Sequence, residues 1–219
     1  MNETIAAVRV PRAPDGFRMD GSLASEKWQN ALRLPLYSND GLATAAETGK
    51  YCLVMADENA LYAGFCLSAA ALPVPASVEN RGDTVIWLYS KEIIQISEVM
   101  IIPDNDNGHY FEFNLAPDNA SLNAEVTWVD GKPTWKMPSP TGIFSQACPL
   151  PDEDGLFRIW HSEFVIPWRS VGLARMPAQF RANFFHADGQ HEKMLFSWKP
   201  TGKPTFHVPE TFGLLSTTG

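Results

Sequence analysis

The spacing of turn-forming residues restricts the fold of this chain more than any other feature. The 219 residues include 17 prolines and 15 glycines, which interrupt the apolar segments at short intervals. Few segments have the three- and four-residue apolar spacing of a helix, whereas several alternate with a period of two. The pattern therefore predicts an all-β fold with at most short helices. The best helical candidate is segment 24–32.

Short segments rich in β-branched and aromatic residues predict the strands. Segments 51–55 and 61–67 flank a polar turn at 57–59 and predict a hairpin. Segment 104–108 resembles a calcium loop, but its spacing differs from that of an EF-hand, so we interpret it as a hairpin turn. The other predicted strands are 84–89, 93–102, 109–115, 124–129, 157–166, 180–187 and 193–198. We expect one domain over residues 1–219, an antiparallel β-sandwich of about ten strands with jelly-roll or immunoglobulin-like architecture.

The charge balance argues against several classes of partner. The chain carries 25 acidic and 17 basic residues, a formal net charge of −8, whereas a nucleic-acid-binding protein needs a basic surface. No apolar run approaches the ~20 residues that span a bilayer, and the N-terminal residues lack the features of a signal peptide. We therefore expect no nucleic-acid or membrane partner. The expected location is cytoplasmic, or secreted or periplasmic if the chain is a trimmed mature form.

Motifs of catalysis and of metal binding are missing from the sequence. It contains no nucleophile elbow, zinc-protease, P-loop or dinucleotide-binding pattern. His186 and His191 are not spaced as a helical zinc pair, and the acidic segment 152–154 is typical of a solvated loop. We therefore expect no enzymatic activity and no cofactor defined by these residues, and the sequence assigns no metal ligand.

The three cysteines fit neither a disulfide framework nor a zinc site, because their number is odd and no C-x-x-C pair occurs. Within the predicted hairpin, Cys52 and Cys66 would lie roughly opposite each other if the loop is tight. A cross-strand disulfide is therefore one alternative, and two buried free thiols are the favoured interpretation.

Aromatic residues make up 11% of the chain, and a large core uses many of them. Trp87, Trp135, Trp198 and Phe206 lie beside turn-forming residues and could stand at sheet ends, where binding sites gather. Flat aromatic faces stack on the C–H faces of sugar rings, while carboxylates and amides bond the hydroxyls. The composition therefore favours carbohydrate binding.

A series of segments shares its pattern and order with one known family. The segments are DGSLASEKWQNA (20–31), DENALY (57–62), EVMIIP (98–103), YFEFNLAP (110–117), EFVIPWRSVG (163–172), RANFFH (181–186), SWKP (197–200) and FHVPETFG (206–213). They resemble the carbohydrate-binding module family 9-like group of the wider DOMON-like β-sandwich superfamily. The resemblance runs nearly end to end, and the last three segments are its most specific part. It implies a β-sandwich that binds sugars without cleaving them.

The resemblance also implies a set of ligand-binding residues. In such modules two aromatic side chains hold a terminal sugar, and polar side chains read its hydroxyls. The family's W-x-x-D-S-x-x-E pattern is replaced before Glu98, so that Trp87 or Tyr89 would supply the second stacking residue. His186 stands where the family has arginine. The candidate ligand-binding residues are Trp87, Glu98, Glu112, Asn183, His186, Trp198, Phe206 and His207.

Other interpretations remain open at this point. Haem carriers among DOMON-like relatives suggest a haem module, with Met100 and either His186 or His109 as axial ligands. A glycoside-active enzyme would use Glu98 and Glu112. Asn183 and Glu112 could instead satisfy backbone groups, and His207 could form a structural corner. Related modules carry structural calcium, but no loop spacing here assigns its ligands. We expect a monomer that binds a mono- or oligosaccharide with micromolar or weaker affinity.

Overall fold

Two β-sheets packed face to face make up the described part of the chain. A computed structural model describes residues 6–23, 26–74, 94–137, 142–189 and 194–217. The strands in these ranges are β1 (Val8–Arg9), β2 (Leu32–Pro35), β3 (Tyr37–Ser38), β4 (Tyr51–Ala56), β5 (Ala60–Pro73), β6 (Ile94–Ile102), β7 (His109–Leu115), β8 (Ser121–Val129), β9 (Lys132–Lys136), β10 (Phe144–Pro151), β11 (Leu156–Pro167), β12 (Gln179–Gly189), β13 (Met194–Ser197) and β14 (Gly213–Ser216). The helical segments there are α1 (Ala45–Thr48) and the 3₁₀ turns Glu26–Trp28, Trp168–Val171 and Pro209–Thr211.

The larger sheet has the strand order β1-β14-β12-β6-β7-β8-β9, and β13 and β3 extend it beside β12. The smaller sheet has the order β10-β11-β5-β4-β2. The ladders between named strands are antiparallel except that between β1 and β14. The all-β prediction is confirmed. The described ranges hold fourteen strands rather than about ten. Most of the strands that were not predicted, β1, β2, β3, β9 and β14, have two to five residues and are too short to show a clear alternating pattern, and the eight-residue β10 was also missed.

The sequence predicted most of the longer strands correctly and one helix incorrectly. Strands β4 and β5 form the predicted hairpin, and β7 has the predicted bounds. The predicted helix over 24–32 is wrong: a single 3₁₀ turn at Glu26–Trp28 is followed by β2, which begins at Leu32. The predicted strand 84–89 lies outside the described residues. None of the helical segments in the described ranges has the length and apolar character needed to cross a bilayer.

The register of the β4–β5 hairpin separates two cysteines. Cys52 pairs with Phe65, and Cys66 pairs with Tyr51, so the two cysteines are offset by one residue. Because side chains alternate along a strand, Cys52 faces the core and Cys66 faces the opposite side of the sheet. Both thiols are free. The disulfide alternative is therefore wrong, and Cys66 is only half-buried.

Alternation along the strands produces three apolar clusters. The largest lies between the sheets and includes Phe65, Phe113, Phe164 and Phe184. A second cluster covers the outer face of the larger sheet, and a third covers the outer face of the smaller sheet. Both sheets therefore carry apolar side chains on their two faces, and the chain must cover their outer faces with its own loops.

The segment that contains Gly21 and Trp28 covers the outer face of the smaller sheet, and the buried carboxylate of Glu163 attaches it to that sheet. Its Oε2 accepts hydrogen bonds from the backbone N–H groups of Gly21 (2.8 Å) and Asp20 (3.1 Å). Its Oε1 accepts one from Trp28 Nε1 at 3.0 Å. The Trp28 ring lies over Gly64, where an added Cβ would come within 3.1 Å of the indole and within 2.5 Å of Leu23 Cδ2, so any larger residue would displace Leu23. One side chain therefore holds both ends of this segment.

We expect Glu163→Ala to lower the free energy of unfolding by about 3 kcal/mol or more, because it leaves several buried donors without an acceptor. Trp28→Phe removes one of these bonds and should cost about 1 kcal/mol from the lost bond, plus a packing contribution. Urea denaturation measures both effects. Asp152→Ala, an exposed carboxylate paired with Arg158, is the control and should change stability by less than about 1 kcal/mol.

Candidate functional site

A group of polar side chains shares the outer face of the larger sheet. Val99 and Ile101 of β6 face the core. Because side chains alternate along a strand, Glu98, which directly precedes Val99, faces outward. By the same alternation Tyr110, Glu112 and Asn114 of β7 face outward. We call this group the outer cluster; its members are Glu98, Tyr110, Glu112, Asn114, Trp135 and His207.

Glu112 lies at the centre of the outer cluster. Its side chain accepts hydrogen bonds from Asn114 Nδ2 at 2.7 Å and from the indole Nε1 of Trp135 at 2.8 Å. The residue is only 2% exposed. Both donors are neutral, so the carboxylate is held by dipoles rather than by an ion pair.

The amide of Asn114 leaves one acceptor unused. An ionised carboxylate can only accept hydrogen bonds, so the amide nitrogen must face Glu112 and the amide oxygen must face away. That oxygen, Oδ1, is buried and has no hydrogen-bond partner in the described part of the chain. The residue is 5% exposed. An unsatisfied buried acceptor is costly, and such groups in native proteins mark either strain or a missing partner.

Glu98 brings a second carboxylate to the same face. It stands directly opposite Asn114 in the β6–β7 register, and Met100 stands opposite Glu112. Side chains directly opposite in a ladder have Cβ atoms about 5 Å apart, and diagonal neighbours lie about 7–8 Å apart. Glu98 is 6% exposed. Two carboxylates and an amide oxygen therefore lie within one small area of the sheet.

Three aromatic rings border these acceptors. The hydroxyl of Tyr110 is 2.7 Å from His207 Nδ1, and the rings of His207 and Trp135 meet edge to face at 5.3 Å. Burial, followed by the charge of Glu112, raises the pKa of Tyr110 well above its usual range, so the phenol stays protonated at neutral pH. The nearby carboxylates of Glu98 and Glu210 act in the same direction. Burial and these carboxylates therefore both favour the neutral, protonated phenol.

Arg181 fixes the loop that carries His207. Its guanidinium donates to the carbonyl oxygens of Pro209 at 2.6 Å and of Phe212 at 3.3 Å, and to the side chain of Asn107. Earlier in the loop, the ring of Phe206 stacks on Phe185 with ring centroids 4.4 Å apart. The loop therefore covers the outer apolar cluster and positions His207 at its edge.

The outer cluster contains three of the eight candidate ligand-binding residues, Glu98, Glu112 and His207, and it also contains Trp135, which the sequence placed beside a turn. Phe206 lies beside it but is only 6% exposed, and one face of its ring is occupied by Phe185. Trp87 lies outside the described residues, as does Tyr89.

Asn183 faces the same side but binds backbone groups. Its Oδ1 accepts from the N–H groups of Phe184 (2.9 Å) and Lys199 (3.0 Å), and its Nδ2 donates to the Lys199 carbonyl at 2.8 Å. Along the same edge, β12 pairs with β14 through Ala182 and with β13 from Phe185 onward. The amide therefore joins the chain across the gap between two strands, a structural role.

Trp198 and His186 lie on the core side and not in the outer cluster. Trp198 belongs to the apolar cluster between the sheets and packs against Phe184 and the Cα of Gly213. His186 alternates with Phe185, which faces outward, so its own ring points inward and stacks on Phe196 at 5.9 Å. The alternation of β12 turns His186 away from the outer face, and Trp198, which follows β13, packs into the core.

His186 belongs to a buried polar network inside the sandwich. The ammonium of Lys50 lies 3.1 Å from Asp188 Oδ2 and also donates to the carbonyl (2.5 Å) and hydroxyl (2.7 Å) of Ser68. Asp188 further accepts from Gln95, and His186 Nδ1 lies 3.0 Å from the carbonyl oxygen of Ile96. All three ammonium hydrogens of Lys50 therefore have acceptors, and this network of paired polar groups borders the apolar core at this end of the sandwich.

A cleft of about 840 Å³ opens next to this network. Lys50 and Asp188 line it together with residues of the turn after β3, of α1 and of β13. Asn39, at its wall, donates to Thr201 Oγ1 at 2.6 Å and accepts from Ser197 Oγ at 2.9 Å. The polar groups of this cleft are therefore largely bonded to one another.

The geometry does not support the haem ligands considered from the sequence. Met100 faces outward from β6, whereas His186 faces inward from β12. His109 contacts Phe111 of the inward-facing series and lies 3.1 Å from Glu125. Neither pair shares a face of the sheet. In the described ranges, no group of three or more His, Cys, Asp or Glu side chains is placed to bind a metal ion.

Solved structures share this fold over nearly the whole chain. A protein from Bacteroides uniformis, for which carbohydrate binding has been suggested, is 15% identical, covers 98% of this chain and 100% of its own, and has a TM-score of 0.71. A family 9 carbohydrate-binding module from Caldicellulosiruptor kristjanssonii in complex with glucose is 14% identical, with coverages of 98% and 96% and a TM-score of 0.60. The chain has the fold of a family 9 carbohydrate-binding module.

A family 9 module from Caldicellulosiruptor kristjanssonii in complex with cellotriose matches similarly, with 14% identity, coverages of 97% and 94%, and a TM-score of 0.59. No protein-family model matches the sequence, and neither does any curated protein. The resemblance to family 9 inferred from the motifs is thus confirmed at the level of the fold.

The sequence did not single out Asn114 or Tyr110 as site residues, and it named Trp135 only as an aromatic side chain beside a turn. The available signal was the alternation of β7, which places positions 110, 112 and 114 on the face that carries Glu112. Trp135 reaches Glu112 across two ladders, from β9 over β8 to β7. That pairing order is not readable from a local pattern.

We expect the buried network around His186 to make stability depend on pH. Burial lowers the pKa of His186 in the folded protein, while the unfolded chain keeps a value near ~6.5. Below that pH the unfolded state binds more protons, so the free energy of unfolding falls from about pH 7 to about pH 5. His186→Gln should flatten this slope in urea denaturation. Burial also lowers the pKa of His161, so adding His161→Gln should flatten the slope further. An unchanged slope in both variants would contradict the assignment.

Proposed function

We propose that this protein binds a carbohydrate without cleaving it, and that the outer cluster is the binding surface. The observation that carries the proposal is the half-buried indole of Trp135, hydrogen-bonded to Glu112, which also binds Asn114 with its unused amide oxygen. The likeness of the fold to family 9 modules in complex with glucose and cellotriose supports it. An aromatic face next to fixed hydrogen-bond acceptors suits a sugar ring, which has apolar C–H faces and an equatorial rim of hydroxyls.

The roles of the residues follow from their chemistry. Trp135 would supply the stacking face, since it lies on the edge strand β9 and retains exposure. Glu98, Glu112 and Asn114 Oδ1 would accept hydrogen bonds from sugar hydroxyls. Each oxygen of Glu112 accepts one bond within the protein, and a carboxylate oxygen can accept two. Hydrogen bonds to a charged acceptor contribute roughly 1.5–3 kcal/mol each, and with one stacking ring and a few such bonds we expect micromolar or weaker affinity.

A catalytic role for the two glutamates fits the geometry less well. Glycoside cleavage needs one carboxylic acid that gives a proton to the leaving oxygen. Both oxygens of Glu112 already accept hydrogen bonds, from Asn114 Nδ2 and Trp135 Nε1, which suits a hydrogen-bond acceptor better than a proton donor. We therefore expect no release of reducing sugar when the protein is incubated with a panel of polysaccharides. Time-dependent release that is lost in Glu112→Gln would contradict this proposal.

Trp135→Ala tests the binding surface. We expect the affinity for glucose and cello-oligosaccharides to fall at least about tenfold in calorimetric titration, about 1.4 kcal/mol, because the stacking face is removed. Trp135→Phe keeps a ring and should retain part of the affinity. The matched control is Phe144→Ala, which removes an exposed aromatic ring from β10 of the other sheet and should leave affinity unchanged.

A further variant separates the outer cluster from the cleft near Lys50. Asp40 lines that cleft at the turn after β3 and is accessible there. Asp40→Ala should leave sugar affinity unchanged if the outer cluster is the binding surface. Loss of binding in Asp40→Ala together with full binding in Trp135→Ala would move the site to the cleft.

A further inference from the structure

A second tryptophan side chain lies next to the outer cluster. The even-numbered positions of β8 face the outer side of the larger sheet, and Trp128 continues this alternation. Trp128 stands opposite Pro133 in the β8–β9 register, whereas Trp135 stands opposite Val126. The two indoles are therefore diagonal neighbours on one face, with Cβ atoms about 7 Å apart. Both pack against the outer apolar cluster and both are half-buried, so each keeps part of its ring exposed.

The two indoles differ in their hydrogen bonds. The N–H of Trp135 donates to Glu112 at 2.8 Å, which fixes that ring. The N–H of Trp128 is buried and has no hydrogen-bond partner in the part of the chain that the structure describes. It lies near the phenol of Tyr110 and, as a donor, opposes the rise in the pKa of Tyr110, but without the geometry of a hydrogen bond. An unused donor of this kind marks either strain or a missing acceptor.

The polar and aromatic groups of this face follow one another along β8. Glu112 stands opposite Ala124, which lies four residues before Trp128, so the two positions are about 13 Å apart along the strand. The position of Trp135, opposite Val126, is halfway between them. A single sugar ring is much shorter than this row. Strand β9 is the last strand of the larger sheet in the described ranges, so no further strand there limits the length of a ligand.

We propose that Trp128 forms a second stacking subsite next to Trp135, and that the protein therefore prefers oligosaccharides of at least two rings to a monosaccharide. One indole is about as wide as one sugar ring, so two indoles at separate positions match two consecutive rings. The first ring would stack on Trp135 with its hydroxyls near Glu112, and the next would lie against Trp128 and bring oxygen acceptors to its N–H. This inference rests on the proposed carbohydrate-binding function and adds the length of the ligand.

A series of increasing chain length tests the inference: D-glucose, cellobiose and cellotriose. We expect cellotriose to bind at least about tenfold more tightly than glucose in calorimetric titration. A surface with one subsite would gain only about threefold, because a chain of three rings offers that subsite three positions. Most of the gain should already appear with cellobiose, which fills both subsites.

Variants of Trp128 separate the second subsite from the first. Trp128→Ala should weaken the binding of cellotriose at least about fivefold and change that of glucose by less than about twofold. Trp128→Phe keeps a ring without the N–H and should retain part of the gain with length. Phe144→Ala removes an exposed aromatic ring from the other sheet and should retain all of it. If Trp128→Ala does not fold, Trp128→Phe and the length series of the unmodified protein decide instead.

The outcomes separate this inference from the function on which it rests. Affinities for glucose and cellotriose within about threefold of each other would overturn the inference and leave carbohydrate binding in place. An equal loss of affinity for glucose and cellotriose in Trp128→Ala would also overturn it, because the indole would then act through the fold or through the first subsite. Failure of glucose and of both cello-oligosaccharides to bind would overturn the inference and the proposed function together.

Discussion

The larger sheet is apolar on both faces, and the rest of the structure depends on this constraint. Phe113 and Phe184 face the core between the sheets, while Tyr110 and Phe185 on the same strands face outward. An outer face of this kind needs a cover, and the segment around Phe206 provides it. Glu98, Glu112 and Asn114 lie buried on the same face, and the hydrogen bonds of Asn114 and Trp135 to Glu112 fix these polar side chains beside the apolar packing.

The segments that carry the family resemblance mainly hold the chain in its fold. Glu163, in segment 163–172, accepts hydrogen bonds from Asp20 and Trp28 in segment 20–31, so each of these two segments holds the other in place. Asp57 accepts from the hydroxyl of Tyr62 and offers its carbonyl to the indole of Trp168, each at 2.8 Å. The contacts of Glu163 with Asp20 and Trp28, and that of Asp57 with Trp168, connect segments that are more than 100 residues apart in the chain. A sequence that keeps them keeps the sandwich, whatever its outer face binds.

This division explains how far the sequence could be interpreted. Alternation and turn residues predicted the all-β class and strands such as β7, because both are local properties. The pattern failed at segment 24–32, where the contact of Trp28 with Glu163 rather than helical periodicity decides the conformation. Glu98 and Glu112 were predicted and share one face. His186, Trp198 and Asn183 follow family motifs whose contacts are internal, and Trp135 depends on strand order, which local sequence does not encode.

The two-residue period of β7 separates the positions that build the core from those of the proposed binding surface. Positions 111, 113 and 115 contribute to the core, and positions 110, 112 and 114 contribute to the outer cluster. The same holds across β6, where positions 99 and 101 alternate with 98 and 100. Natural drift or laboratory selection can therefore substitute residues at one set of positions while the other set stays constant. Such a sheet can acquire new ligands without first losing its architecture.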